Sequence, residues 1–384
     1  MHLLECGVLF RRVSSLVSFA VAAAAAVLFA GCSRAPEPIY VTSEAALKLP
    51  EIHQRQLRET VTRFFGTPLN PRLRLPTEES SDDGMSNLVD IIDPDHLAHG
   101  AAVFKRRCAG CHGITGDGNG EAAPYLVPKP RDYRLGIFKF TSTPYGAKPH
   151  RSDLIRVIRK GAKGTSMPAF PWLPDEDVQA VVDYVKVLSY RGELEADVAR
   201  IAELDYDAGE EIDKLEFIDS VTRIHGNWEQ AAYQVVLPVT AQPKYEDETI
   251  LAGRKAFLSK GCSKCHGEDG RGQTDWLNRE FIAALEALPE DKREKINYDA
   301  WGNVAPAADI TARMLHGGRR PIDVYRRICT GINGTPMPAF GQALSQEPET
   351  FWHLVHYVKS IVEGRHVEGL DQVVADEPPA AVGQ

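Results

Sequence analysis

A chain of 384 residues has room for two or three modest domains at the usual size of roughly 150 residues each. A hydrophobic content of 43% and a charged content of 25% exclude both a disordered chain and a multi-span membrane protein. A formal charge of -9 argues against a nucleic-acid partner, which would call for a basic face.

The first predicted element is an export signal. Arg11 and Arg12 precede an uncharged stretch from Val13 to Ala30, and Leu28-Phe29-Ala30-Gly31 then lead into Cys32. This is the order of a charged region, an apolar region and a small-residue cleavage site. The residues before Cys32 resemble a bacterial lipobox, with Phe29 where leucine is usual. That resemblance implies a signal peptide over 1–31, lipidation of Cys32 and a periplasmic protein held to the membrane by its lipid. The alternative is an uncleaved N-terminal helix, since eighteen apolar residues lie at the short end of what spans a bilayer. Residues 32–93 carry many prolines and charges and read as a tether and N-terminal segment, with a short amphipathic helix over Ile52 to Phe65.

From residue 94 onward the chain contains one unit twice. The first copy begins Gly100-Ala-Ala-Val-Phe104 and reaches C-A-G-C-H at Cys108 to His112; the second begins Gly253-Arg-Lys-Ala-Phe257 and reaches C-S-K-C-H at Cys262 to His266. Each then predicts a short helix, Asp153 to Lys160 and Asp323 to Thr330, stopped by Gly161 or Gly331. G-T-S-M-P-A-F follows at Gly164 to Phe170, and G-T-P-M-P-A-F at Gly334 to Phe340. A closing helix ends each copy, marked by Val178, Val181, Val182, Val185 and Leu188 in the first and by Phe351, Leu354, Val355 and Val358 in the second. Histidine and methionine stand 55 residues apart in copy one and 71 in copy two. The excess, around Trp276 to Trp301, is predicted to be an exposed helical excursion. Residues 191–245 read as a linker, with a helix marked by Leu194, Val198, Ile201 and Leu204 and an extended stretch near Val235 to Val239. The tail spans 365–384.

Seven cysteines in an exported protein would suggest disulfides, but Cys6 leaves with the signal and four others fall into the two C-x-x-C-H patterns. Two thiols one helical turn apart suit the two vinyl groups of one haem, and the next residue brings an imidazole to the iron. A thioredoxin-like C-x-x-C needs no such histidine and no second copy. A lone methionine usually fills core space, but Met167 and Met337 stand in matching M-P-A-F sequences, which makes them the candidate sixth ligands. Met85 and Met314 lack that context. His99, His150, His225, His316, His353 and His356 have no counterpart in the other copy and read as surface histidines, and Cys329 as an inert, partly exposed thiol.

Both copies resemble class I cytochrome c domains, over 94–190 and 246–364. The resemblance implies an all-α fold, two tandem domains with a partly helical linker and an N-terminal tether, and two covalent, thioether-linked haem c groups. In that family the helix of Gly100 to Phe104, or of Gly253 to Phe257, crosses the closing helix. The attachment residues carry over to Cys108, Cys111, Cys262 and Cys265, and the axial ligands to His112, Met167, His266 and Met337. The family's proline near the haem, whose carbonyl orients the histidine ring, would correspond to Pro124.

An iron with both axial positions filled exchanges single electrons and does not readily take a substrate. The expected function is therefore electron relay between redox partners such as a respiratory complex, a terminal oxidase or a dehydrogenase, with the membrane reached through the lipid. Lys105, Arg106 and Arg107, with Lys260 and Lys264, are either docking charges for an acidic partner or a solvated face. The alternatives are a di-haem peroxidase, which needs one displaceable ligand, and a cytochrome subunit of a periplasmic dehydrogenase or respiratory complex.

Overall fold

The computed structural model describes residues 38–77, 85, 87–272, 287, 289 and 298–374, and the chain enters it through two helices, α1 (Glu44–Leu47) and α2 (Glu51–Phe65). Ser43 starts α1 by accepting the Ala46 amide at 3.2 Å, a side-chain cap for an otherwise orphaned N–H. On α2 the apolar positions Leu57, Val61 and Phe64 recur at helical spacing and are buried together. Two short antiparallel strands follow, β1 (Arg74–Pro76) and β2 (Leu88–Asp90), with Leu75 opposite Val89. They form the one sheet among the described residues, which are otherwise helical and irregular, the all-α class that the sequence predicts.

The first copy is built on α3 (Pro94–Arg107), the single-turn α4 (Ala109–His112), α5 (Arg151–Lys160) and α6 (Asp175–Asp205). Asp93 caps α3 on the Asp95 amide at 2.7 Å, and Lys105, Arg106 and Arg107 in its last turn complement the helix dipole. α6 runs for 31 residues, so the closing helix and the expected linker helix are one element. Gly192 sits at the join and is a packing position: a Cβ there would lie 2.2 Å from the Arg134 Cα. Beyond α6, α7 (Lys214–Gln230) packs back on it, with Trp228 stacked on Tyr190 at 5.8 Å between centroids.

The second copy repeats the plan with α8 (Asp247–Ser259), α9 (Ser263–His266), α10 (Pro321–Thr330) and α11 (Glu349–Glu363). Its core gathers Ile250, Phe257, Tyr325, Phe351 and Val355. The first core reaches further than its repeat: Tyr40 and Phe64 from the N-terminal segment and Leu194 and Phe217 from the linker join Phe104 and Val182 in one cluster. The stretch near Val235 to Val239 is irregular and pinned to both copies. The Val236 amide donates to the Ser142 carbonyl at 2.7 Å, while Arg326 Nε donates to the Val236 carbonyl at 3.1 Å.

One feature of the first core is charged. Arg191 is fully buried and donates to Glu195 at 2.9 Å, to the Val41 carbonyl at 2.9 Å and to the Thr115 carbonyl at 3.3 Å. Glu195 in turn accepts the Ser43 amide. This network ties the N-terminal segment and the loop after the first C-x-x-C-H to α6.

In each copy the first helix crosses the closing helix at glycine. A Cβ on Gly100 would lie 2.2 Å from the Ala180 carbonyl oxygen, and one on Gly253 would lie 2.0 Å from that of His353. The aromatic one turn later packs edge-on against a tyrosine, Phe104 on Tyr184 at 5.3 Å and 61°, Phe257 on Tyr357 at 5.2 Å and 62°. Both obstacles to a side chain are backbone, so Gly253→Ala forces the helices apart. Overpacking of this kind costs about 1–3 kcal/mol or more, against a gain of up to about 1 kcal/mol in helix propensity. Urea unfolding of Gly253→Ala is expected to show a net loss.

Residues 1–37, which hold the expected signal and Cys32, lie outside the described residues, as do most of 276–301 and residues 375–384 of the tail. Among the described residues, no helix is long and apolar enough to cross a membrane.

Candidate functional site

The two C-x-x-C-H segments fold alike because each is a single helical turn closed by its own backbone. The His112 amide donates to the Cys108 carbonyl at 2.9 Å, and the His266 amide to the Cys262 carbonyl at 2.9 Å. A glycine with positive φ, 73° at Gly113 and 69° at Gly267, ends the turn. The chain then curls under the histidine, with the Gly118 amide on the His112 carbonyl at 2.9 Å and the Gly272 amide on that of His266 at 2.7 Å.

Each imidazole is oriented by a backbone carbonyl. His112 Nδ1 meets the Arg131 carbonyl and His266 Nδ1 the Ala308 carbonyl, both at 3.0 Å. A carbonyl only accepts, so Nδ1 carries the proton and Nε2 keeps the lone pair that a metal would take. The Tyr133 hydroxyl faces His112 Nε2 at 3.3 Å. Burial pushes both imidazoles down from their ordinary pKa and favours the neutral, ligating form. Burial also pushes the Cys108 thiol up to about 12 and the Cys262 thiol up to about 11.

These carbonyls correct the assignment to Pro124, which lies in a separate turn, Ala123–Tyr125. Arg131 reaches the ring because the next turn, Tyr133–Leu135, is tied down. Asp132 caps it on the Arg134 amide at 2.9 Å, and the Tyr133 amide donates to the Gly116 carbonyl at 2.8 Å. Copy two matches it bond for bond: Asp309 caps the Thr311 amide at 2.8 Å and the Ile310 amide meets the Gly270 carbonyl at 2.7 Å. The shared aspartate in Arg131-Asp132-Tyr133 and Ala308-Asp309-Ile310 is the sequence signal that locates the orienting carbonyl.

The methionine loops are also superimposable in their bonds. The Ala162 amide donates to the Met167 carbonyl at 3.2 Å and the Met167 amide to Thr165 Oγ1 at 3.2 Å; the Ile332 amide donates to the Met337 carbonyl at 3.2 Å and the Met337 amide to Thr335 Oγ1 at 3.3 Å. Gly161 and Gly331, at φ 68° and 67°, let the loop fold back, since a Cβ on either would lie 2.7 Å from the methionine carbonyl.

In copy one these pieces enclose a cavity of about 300 Å³ whose wall includes Cys108, Cys111, His112, Tyr133 and Met167. Two thiols, an imidazole whose Nδ1 carries the proton and a thioether on one cavity are the donor set of a covalent haem, so the residues present fit that group. Asp299, Trp301, Asn303 and His316 of the second copy complete the wall. Sequence reasoning missed these four, because the first copy shows no residue they would answer to.

The remaining candidates fall as follows. Met85 is buried in the first core, and Met314 is half exposed and meets Gly164, where a Cβ would lie 3.1 Å from its Cγ. Cys329 is partly exposed. Lys105, Arg106 and Arg107 are exposed, whereas Lys260 pairs with Glu347 at 2.8 Å. His99 pairs with Asp177 at 2.7 Å. His356 is not a surface histidine: it is fully buried on α11, its Nδ1 2.9 Å from Thr249 Oγ1. At the same crossing in copy one, His96 on α3 meets Asp183 on α6 at 3.0 Å, so the imidazole has exchanged helices between the copies.

Burial, with Lys359 and His353 nearby, pushes His356 down from 6.5 to about 4. Between those values the unfolded chain binds a proton that the folded chain refuses, so stability falls as pH drops through the window. The slope for one proton is at most about 1.4 kcal/mol per pH unit. Urea midpoints of the second copy measured from pH 7 to 4 are expected to fall accordingly, and His356→Gln is expected to flatten the decline.

Residues 97–189 match the family described as Cytochrome c, a family of covalent haem carriers in electron transfer. The Cbb3-type cytochrome c oxidase subunit FixP of Sinorhizobium medicae (strain WSM419) is 28% identical over 155 residues, 39% of this chain and 45% of that protein. The chain thus spans less than half the length of this curated relative. A solved structure of the Kuenenia stuttgartiensis reducing HAO-like protein complex aligns with a TM-score of 0.49 and 30% identity, covering 68% of this chain and 95% of that one.

Proposed function

We propose that the protein is a two-haem electron carrier in which Cys108 and Cys111, and Cys262 and Cys265, hold one haem c each, with His112 and Met167, and His266 and Met337, as the axial pairs. The observation that carries this reading is the bond-for-bond repetition of both frameworks, from the orienting carbonyl to the threonine that fixes the methionine amide. Haem bound there supplies one-electron cycling between ferrous and ferric iron. The chain's own contribution is to hold each imidazole in the ligating tautomer, to present a thioether on a loop held by backbone bonds and one threonine hydroxyl, and to line the site with apolar walls. The haem-bearing repeats are 94–190 and 246–364, the first completed as a folding unit by the rest of α6 and by α7, and the protein works outside the cytoplasm, attached to a bacterial membrane through lipid on Cys32.

Its partners are redox proteins. The relative named as an oxidase subunit supports membership of a respiratory assembly over free diffusion. The test is a haem count followed by a spectroscopic redox titration of the intact protein. Two haems per chain, both low-spin with a methionine-to-iron absorption band and titrating in two one-electron steps, is the expected result. A resting high-spin iron with peroxide turnover would replace this reading with a peroxidase.

A further inference from the structure

The two halves meet beside the first cavity, and the residue at the meeting point is Trp301. It stands on a tight turn of the second copy, held by its own amide on Asp299 Oδ1 at 3.0 Å and by the Gly302 amide on the Asp299 carbonyl at 3.0 Å. From there the indole reaches into the first copy. Nε1 donates to the Asp132 carbonyl at 3.2 Å, and the Arg131 guanidinium lies 3.5 Å over the ring centroid. Arg131 is the residue whose carbonyl takes His112 Nδ1. Lys139 of the first copy pairs with Asp299 at 3.0 Å and fixes the turn's base.

The opposite edge of the same indole rests on the second copy's methionine loop. A Cβ on Gly334 would lie 2.9 Å from Trp301 Cζ3 and 3.0 Å from Cη2, so only glycine admits the ring so closely. The Ala300 amide also donates to the Gly334 carbonyl, at 2.8 Å. Gly334 is three residues before Met337. A continuous series of bonds and close contacts therefore joins the two ligand sets: His112, Arg131 and Asp132, Trp301, Gly334, Met337. In the first copy the glycine equivalent to Gly334 is Gly164, and it receives His316 and Met314, with no indole.

We infer that Trp301 is the bridge through which an electron passes between the two sites, an assignment that rests on the two-haem reading. Tunnelling falls off steeply across gaps and slowly through bonded and packed atoms, and the indole closes the gap between the Asp132 carbonyl and the Met337 loop. In each transfer the electron lost by the reduced site is the electron gained by the oxidised one. No bond forms or breaks, no proton moves, and Trp301 itself is neither oxidised nor reduced.

The experiment uses the intact two-haem protein, reduced by one electron in a flash and followed at wavelengths that separate the two haems. Trp301→Ala is expected to lose the fast intramolecular phase, and Trp301→Phe, which keeps a ring against Gly334 but loses the bond to Asp132, to slow it less. Haem content, low-spin spectra and the thermal unfolding midpoint of the Phe variant are expected to stay near wild type, and since Trp301 lines the first cavity, exchange rates are compared at the driving force set by each variant's own two midpoint potentials. Arg156→Gln is the control for loosened packing: it removes a bond between the copies, Arg156 to the Gly317 carbonyl at 3.1 Å, together with Arg156's bonds to the Phe140 carbonyl at 2.8 Å and to Asp153 at 3.1 Å, and touches no member of the route. Unchanged exchange in Trp301→Phe and Trp301→Ala overturns the assignment, and so does an equal slowing in Arg156→Gln. Should the Ala variant fail to fold, the Phe variant and the control decide between these outcomes. A count of one haem per chain overturns the two-haem reading, and the bridge with it.

Discussion

Met167→Ala is expected to turn one of the two low-spin irons into one that takes added cyanide or imidazole, leaving the other unchanged; Met337→Ala is expected to do the same at the second site. The loop that presents Met167 is held by backbone bonds and by Thr165 Oγ1, none of which uses the thioether. Truncation therefore removes the ligand and keeps its scaffold. Because a thioether favours ferrous iron, the potential of the altered site is expected to drop while its partner's holds. Electron paramagnetic resonance during a redox titration reads both effects in one sample. Two low-spin irons with unchanged potentials in Met167→Ala would remove that residue from the ligand set.

The second large effect is on stability. Arg191→Leu leaves the Glu195 carboxylate buried without its cation, and breaking one partner of a buried pair costs about 3–5 kcal/mol. The double variant Arg191→Leu, Glu195→Leu removes both charges and is expected to recover most of that loss, since apolar replacements of a buried pair are often close to neutral. Recovery is expected to be incomplete, because the Val41 and Thr115 carbonyls and the Ser43 amide lose partners they have in the native chain. A double-mutant cycle in urea measures the coupling directly.

The chemistry-bearing residues were legible because their spacing is their chemistry. Cys108, Cys111 and His112 fall within one helical turn, and Met167 and Met337, the proposed sixth ligands, stand out by recurring in a fixed context. The glycine crossings were implied by the family resemblance, and the structure supplies their reason: a Cβ on either glycine would lie 2.2 Å or 2.0 Å from a backbone oxygen. What escaped notice depends on long-range geometry. Any residue has a carbonyl, so nothing in the side chain of Arg131 or Ala308 marks it as the one that orients a histidine; only the neighbouring aspartates do. Trp301 has no counterpart in the first copy, and comparison of the copies is silent about residues whose partner is the other copy. His356 looked like a surface histidine because its partner, Thr249, lies on a different helix.

α6 sets how the molecule is divided. A piece ending at Tyr190 would stop in mid-helix, leaving Leu194 and Val198, both fully buried in the native chain, to be cut away from the core they complete. The first natural place to sever the chain lies beyond α7, after the Trp228 and Tyr190 rings have met. The halves are thus unequal: the second core draws only on residues 250–367, whereas the first is completed by α2, the far end of α6 and α7, so a cut at the repeat boundary would open the first core and spare the second.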